Sequence, residues 1–168
     1  VDLLEGLDRS SLPPDGVIGW NSPPTVVRDV AVIGAAFGTS SLQHQTIGHI
    51  RGFDVRTGKR RWIFHTVPRR GEPGAETWED GSLEYAGNTG AWAPMSADPE
   101  LGYVYVPTET PTTDMSGQHR PGNNLYADSL VCLDAATGKR VWHFQMVHHG
   151  LWDYDNPTQP ILIDITSG

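Results

Sequence analysis

The densest chemistry in the chain lies in VHHGLWDYDNP, residues 147–157. Two adjacent histidines, a tryptophan and two aspartates stand together ahead of Pro157. Those side chains suit three chemistries: a metal centre, acid–base catalysis by a carboxylate, or a polar turn. Spacing bears on the first. Neighbouring residues of an extended strand point to opposite faces, so His148 and His149 cannot easily close on one ion. Zinc sites favour wider spacings such as H-x-x-x-H. The pair is expected to pack or support rather than ligate. D-Y-D-N-P is also good turn material, and Asp155 and Asn156 are expected to serve structure. His44, His49, His65, His119 and His143 form no constellation and read as surface or strand positions.

These residues must be held by something, and the rest of the chain says what. Helical periodicity is nearly absent, and Gly (19) and Pro (13) are frequent. The signal is short β-rich runs between turn residues: TVVRDVAVIG, HIRGFDV, RRWIFHTV, GYVYVP, DSLVCLD, RVWHFQMV and PILIDI. Such a pattern predicts an all-β sandwich, barrel or propeller.

An internal repeat decides among these. IRGFDVRTGKRRWIF (50–64) aligns with LVCLDAATGKRVWHF (130–144). Asp54, Thr57, Gly58, Lys59, Arg60, Trp62 and Phe64 recur as Asp134, Thr137, Gly138, Lys139, Arg140, Trp142 and Phe144. Each copy reads as strand, D-x-x-T-G-K turn, strand with Trp. The Asp and Thr side chains can bond turn backbone, and Gly supplies the positive φ of the reversal. A second series precedes each hairpin: NSPPTVVRDVAVIG (21–34), GAWAPMSADPELGYVYVP (90–107) and the start of a third copy, NPTQPILIDI (156–165). Pro24, Pro94 and Pro160 align at pitches of 70 and 66 residues. Four-stranded units at this spacing describe propeller blades. The expected division is one blade over 16–66, a second over 88–147, and the first strand of a third over 156–168. An open array leaves bare sheet edges, and a closed ring of ~6–8 such blades needs about 400–550 residues. The opening VDLLEGLDRSS, without an initiator Met, and the ending DITSG fit a piece of something longer.

Bulk properties narrow the function classes. The chain has 168 residues, 38% of them hydrophobic and 19% charged, enough to bury a core. A formal net charge of −8 argues against nucleic acid or an anionic membrane surface as partner. Cys132, the one cysteine, sits in the apolar run SLVCLD and is expected in the core. No apolar run approaches the ~18 residues of a membrane span.

The D-x-x-T-G-K-x-x-W hairpins resemble the tryptophan-docking repeats of the quinoprotein dehydrogenases. These are eight-bladed propellers that hold pyrroloquinoline quinone (PQQ) on the central axis. The resemblance is most specific in GNTGAWAPMSADPELGYVYVPTETPTTD (87–114) and in RPGNNLYADSLVCLDAATGKRVWHFQMVHHGLWDYDNPTQPILIDI (120–165). Both are similar to the membrane-type glucose dehydrogenase branch, and the likeness covers nearly all of residues 16–165.

The resemblance implies a PQQ-dependent oxidation of a sugar or alcohol hydroxyl, with ubiquinone or a cytochrome as electron acceptor. It implies a periplasmic protein, anchored in the inner membrane through segments outside this chain and completed by the remaining blades. Trp92, in W-A-P, matches the family residue that lies flat against the quinone, a role a large rigid aromatic face suits. Asp153 matches the general base that takes the hydroxyl proton while hydride passes to the cofactor. Ca²⁺ or Mg²⁺ would polarise the quinone carbonyl. Thr112, with Thr110 beside it, matches the place of a cofactor or metal contact, and Asp153 and Thr112 are the expected metal contacts here. The family's acidic or Asp-Asn element after VIG has no counterpart: AAFGTSSLQHQT (35–46) carries no carboxylate, and Thr39 and Ser40 occupy the approximate place. Other readings are a non-catalytic propeller scaffold, a quinoprotein alcohol or polyol dehydrogenase, and a metal-dependent hydrolase using the histidines and aspartates. The joint presence of Trp92 and Asp153 in their contexts favours the dehydrogenase, and the histidine spacing counts against the hydrolase.

Overall fold

The structure is a computed structural model that describes Gly19, residues 21–35 and residues 46–166. Two four-stranded antiparallel sheets carry it. The first runs β1 (Thr25–Val27), β2 (Val30–Ile33), β3 (Ile50–Asp54) and β4 (Arg60–Phe64), in that order across the sheet. The second repeats the arrangement with β5 (Ser96–Asp98), β6 (Tyr103–Pro107), β7 (Ser129–Asp134) and β8 (Arg140–Gln145). The strands expected from alternation and turn chemistry are all present up to β8.

The hairpins form for the local reason legible in D-x-x-T-G-K. Asp54 Oδ1 accepts from the backbone N–H of Arg56 at 3.0 Å and of Thr57 at 2.8 Å. Asp134 Oδ1 accepts from Thr137 N–H at 2.8 Å in the second copy. Even the irregularity recurs: register shifts between Gly52 and Phe53 and between Cys132 and Leu133, equivalent places in the two copies.

The sheets pack on each other through a shared apolar core. Val27, Val30, Val32, Ile50 and Trp62 from the first sheet meet Val104, Val106, Val131 and Leu133 from the second. Cys132 is fully buried, as expected. Trp62 is the bridge: its indole N–H donates to the Ala135 carbonyl at 2.9 Å, and its ring covers Gly138. A Cβ on Gly138 would lie 2.5 Å from that ring, and Gly138 also holds φ 70°, so the turn glycine has two reasons to be one. Its counterpart Trp142 is 40% exposed on β8.

Residues 65–88 leave the sheets and contain two short 3-10 turns, Ala75–Thr77 and Ser82–Glu84. Val67, Trp78 and Ala86 form a small second core there. Residues 156–166 form no strand. They run beside β5, where Ser96 Oγ donates to Pro160 O and Gln159 Nε2 donates to Met95 O at 3.1 Å. A strand needs a ladder partner on this segment, and the described residues supply none. Among the described residues no helix is long and apolar enough to cross a membrane.

Candidate cofactor and active site

Three segments converge at one end of the second sheet: GNTGAW (87–92) leading into β5, TETPTTD (108–114) following β6, and HHGLWDYDN (148–156) following β8. The first two pair by backbone. Glu109 N–H donates to Gly90 O at 3.0 Å and Thr89 N–H to Thr110 O at 3.3 Å. The approach is close enough to require glycine. A Cβ on Gly90 would sit 2.3 Å from the Ala35 carbonyl oxygen and 2.6 Å from Glu109 Oε1.

The third segment locks onto the other two through Asp155. Its Oδ2 accepts the Trp92 indole N–H at 2.8 Å, and its Oδ1 accepts the Thr110 backbone N–H at 3.0 Å. Asn156 Nδ2 donates to Thr108 O at 3.0 Å beside it. Trp92 is half-buried, its backbone carbonyl accepts from Ser22 Oγ, and no aromatic ring of the described residues packs against it. A broad ring anchored at its edge suits a planar cofactor. Asp153, two residues before Asp155, is exposed. Partial burial, and then the charge of Asp155, raise its carboxyl above the ordinary value.

A buried arginine ties the same loops from below. Arg120 has no exposed surface; its Nε donates to Thr112 O at 3.0 Å, Nη1 to Asn124 Oδ1 at 2.8 Å and Nη2 to Gly150 O at 2.7 Å. Burial lowers the guanidinium to about 10, against the pull of Asp128 and Asp114. Thr112 itself is fully buried, with Oγ1 accepting from Gly87 N–H at 3.0 Å. Thr110 thus joins Trp92 through Asp155, whereas Thr112 is tied by Arg120 to Gly150, in the loop that carries Asp153.

Two further carboxyls lie inside this cluster. Glu109 is 5% exposed and accepts from Gly90 N–H at 2.8 Å. Burial, and then the charge of Asp155, push it up to about 9, so it is neutral at pH 7. Asp128 has no exposed surface. Burial pushes it up to about 7; Arg120 opposes that rise and Asp155 and Asp153 add to it. Neither Asp128 oxygen, nor the buried Thr110 hydroxyl, makes a hydrogen bond of good geometry.

The donor types suit a hard cation, which takes several oxygen ligands. Yet among the described residues no three Asp, Glu, His or Cys side chains converge to hold one. Thr39 and Ser40 lie outside the described residues. The described part of the chain therefore does not by itself make a metal site, while the Trp92 indole, held at its edge by Asp155, is of a kind that suits a planar group.

The histidines follow a different geometry from the strand invoked above. β8 ends at Gln145, and His148 and His149 lie in the bend beyond it. His149 adopts φ 51° and its Nδ1 lies 2.8 Å from Gly122 O, while His148 is exposed. His149 is a packing residue, as expected. His49 and His65 do form a small group: their rings meet edge-on with centroids 4.6 Å apart, and His65 Nδ1 lies 2.8 Å from Glu72 Oε1. His44 lies outside the described residues. Sequence reasoning assigned Asp155 to structure, noted Glu109 only as a carboxylate near Thr110 and Thr112, and passed over Asp128 and Arg120 as site residues. An arginine alone in the polar stretch GQHRPGNN was the available signal for Arg120.

Comparison with known proteins meets this geometry. The family model described as PQQ: glucose/ethanol/alcohol dehydrogenase, beta-propeller domain, matches residues 1–168. The chain is 41% identical to quinoprotein glucose dehydrogenase A of Acinetobacter calcoaceticus over 150 residues, 88% of this chain and 18% of that one. It is 38% identical to the quinoprotein glucose dehydrogenase of Escherichia coli (strain K12) over 164 residues, 95% of this chain and 20% of that one. The crystal structure of quinohemoprotein alcohol dehydrogenase from Comamonas testosteroni superposes with TM-score 0.78 at 30% identity, over 96% of this chain and 24% of that one. The chain spans about a fifth of the length of these curated relatives. The repeated four-stranded sheets, the Trp62 bridge and the match over every residue lead to one statement: this chain belongs to the PQQ-dependent glucose/ethanol/alcohol dehydrogenase β-propeller family.

Proposed function

We propose that the protein containing this chain oxidises a hydroxyl of a sugar or small polyol with PQQ, Asp153 acting as general base and Trp92 as the stacking floor. One contact carries the reading: the Trp92 indole on Asp155 joins the tryptophan of W-A-P to the W-D-Y-D loop, 63 residues apart, in a single site. The substrate class rests on relatives whose names are glucose, glycerol and quinate/shikimate dehydrogenases.

PQQ, when bound, is the acceptor of the substrate's hydride. Asp153 takes the hydroxyl proton as the hydride leaves, which converts the alcohol carbon to a carbonyl. Its raised carboxyl brings its basicity closer to neutral pH, and its exposure gives the proton a path to water. Thr110 holds its amide against Asp155 at the foot of the indole. Thr112 holds the Gly87 end of the segment that carries Trp92. Neutral Glu109 beneath Gly90 keeps a third negative charge away from the two aspartates.

Around this centre the proposal extends to an eight-bladed ring with blades over 16–66 and 88–147, and to residues 156–168 as the first strand of the next. It includes Ca²⁺ or Mg²⁺ beside Asp153, with Thr112 among its contacts and other ligands from outside the described residues. Ubiquinone or a cytochrome takes the electrons, and the protein works in the periplasm, held at the inner membrane.

The test is Asp153→Asn in the full-length protein. Turnover in dye-linked assays with aldoses and alcohols should be lost while PQQ binding stays within about twofold, since removing an acid–base group costs on the order of 10²–10⁴ in rate. A folded variant that loses PQQ instead, or keeps its rate, contradicts the assignment.

A further inference from the structure

We propose that Asp155 is a positioning residue: its carboxylate fixes the Trp92 indole against the Thr110 backbone, so that the aromatic floor and the loop bearing Asp153 keep one relative geometry. The proposal rests on the reading of Trp92 as the stacking residue.

Asp155 does not bond the amides that follow it in sequence. Aspartates that build turns in this chain accept from amides two or three residues ahead. Asp54 accepts from Arg56 and Thr57, Asp98 from Glu100 and Leu101, and Asp134 from Thr137. D-Y-D-N-P would support the same device at Asp155. Both of its oxygens are instead committed far away, to donors 63 and 45 residues earlier. Neither partner is a local amide, so the side chain closes tertiary contacts rather than a turn.

Its donors are the two groups that matter for a stacked ring. An indole has a single N–H and no acceptor. Bonding it at 2.8 Å selects one ring orientation about the side-chain torsions. A broad sp³–sp² torsion is otherwise loosely held, and a floor that can rotate must be ordered at the moment the cofactor binds. The second oxygen holds Thr110 N–H at 3.0 Å. Thr110 in turn accepts Thr89 N–H, three residues before Trp92. The indole and its backbone are therefore referred to the same carboxylate by two routes. Asn156 adds a third tie to Thr108 O, and prevents the loop from swinging about Asp155 alone.

The functional consequence is coupling. Asp153 is two residues from the clamp. Whatever sets the height of the floor also sets the loop from which the base projects.

The experiment is a double-mutant cycle on the full-length protein, read as the PQQ dissociation constant from titration of the apoprotein at fixed Ca²⁺. Trp92→Phe keeps an aromatic face and removes the N–H. Asp155→Leu removes both acceptors, and Asp155→Asn keeps one. Trp92→Phe and Asp155→Leu should each weaken PQQ binding about tenfold, about 1.4 kcal/mol. The double variant should bind no more weakly than the worse single one, because the indole–carboxylate bond that Trp92→Phe removes is already lost in Asp155→Leu. Asp155→Asn should fall between Asp155→Leu and the parent. Effects that multiply toward a hundredfold, or an Asp155→Asn variant that binds like the parent while Trp92→Phe does not, overturn the proposal and leave the stacking reading intact. A Trp92→Ala variant that binds PQQ as tightly as the parent overturns the stacking reading and this proposal with it.

Discussion

Trp92 and Asp155 show how one polar atom can decide what an aromatic residue is for. A tryptophan next to a β-strand is commonly buried for packing alone. Here the indole edge is spent on a carboxylate and the ring stays out of the hydrophobic core that gathers Trp62. Trp92→Ala should therefore cost little fold stability and much PQQ affinity, about tenfold or more given the ~1–3 kcal/mol that stacking of a planar heterocycle on an aromatic side chain contributes. Thermal melting of the apoprotein set beside PQQ titration separates the two effects. His49 supplies a contrasting residue with no part in the site. It is 2% exposed, and burial first, then the charges of His65, Arg51 and Arg69, hold it well below the ordinary 6.5; Glu72, bonded to His65, is the nearby carboxylate. A histidine kept neutral when folded is protonated first in the unfolded chain. Stability should be intact above pH 6.5 and should fall below it, by at most about 1.4 kcal/mol per pH unit. Melting midpoints from pH 7.5 down to 5 should show this slope in the parent and a shallower one in His49→Asn.

The elements divide into those fixed by neighbours in sequence and those fixed by distant ones. The hairpins β3–β4 and β7–β8 were legible because Asp, Thr and Gly act within four residues of each other, and the repeat of the motif exposed the unit. Trp62 was legible as a repeat residue, but its landing on Gly138 and Ala135 of the next sheet spans more than 70 residues. Trp62→Ala should lower stability by about 3–5 kcal/mol, as loss of a large buried aromatic does, visible as a fall in the melting midpoint. Asp153 and Trp92 entered the candidate site through family likeness. What Asp155, Glu109 and Arg120 touch was not legible, because each acts through tertiary contacts that no local pattern encodes. D-Y-D-N-P even pointed the wrong way, toward a turn. Arg120 is the element-scale support, tying the Thr112 segment to the loop after β8. Arg120→Met leaves the Gly150 carbonyl without that donor, at about 1–3 kcal/mol, while the Thr112 carbonyl keeps the His119 Nε2 contact. Its melting midpoint should drop, and its turnover should fall more than its PQQ affinity.

At the scale of the molecule, two sheets share a core, and the second presents an uncovered outer strand. Trp142 is 40% and Phe144 66% exposed on β8, at the positions equivalent to Trp62 and Phe64. By the geometry of the first sheet, Trp142 would lie over the turn glycine of a following blade. Ile161, Ile163 and Ile165 are 85%, 73% and 82% exposed, an apolar row suited to burial in further sheet. Exposed apolar strand edges of this length are a liability unless covered. The proposed chemistry follows the same logic, because on that proposal this chain supplies only the floor, Trp92, and the base, Asp153. The most direct measurement is reconstitution of the full-length protein with PQQ and Ca²⁺ or Mg²⁺, followed by equilibrium dialysis and dye-linked oxidation of aldoses and polyols. Saturable PQQ binding together with metal-dependent turnover is the expected result. A folded protein that neither retains PQQ nor oxidises any of these substrates would contradict the assignment of this site.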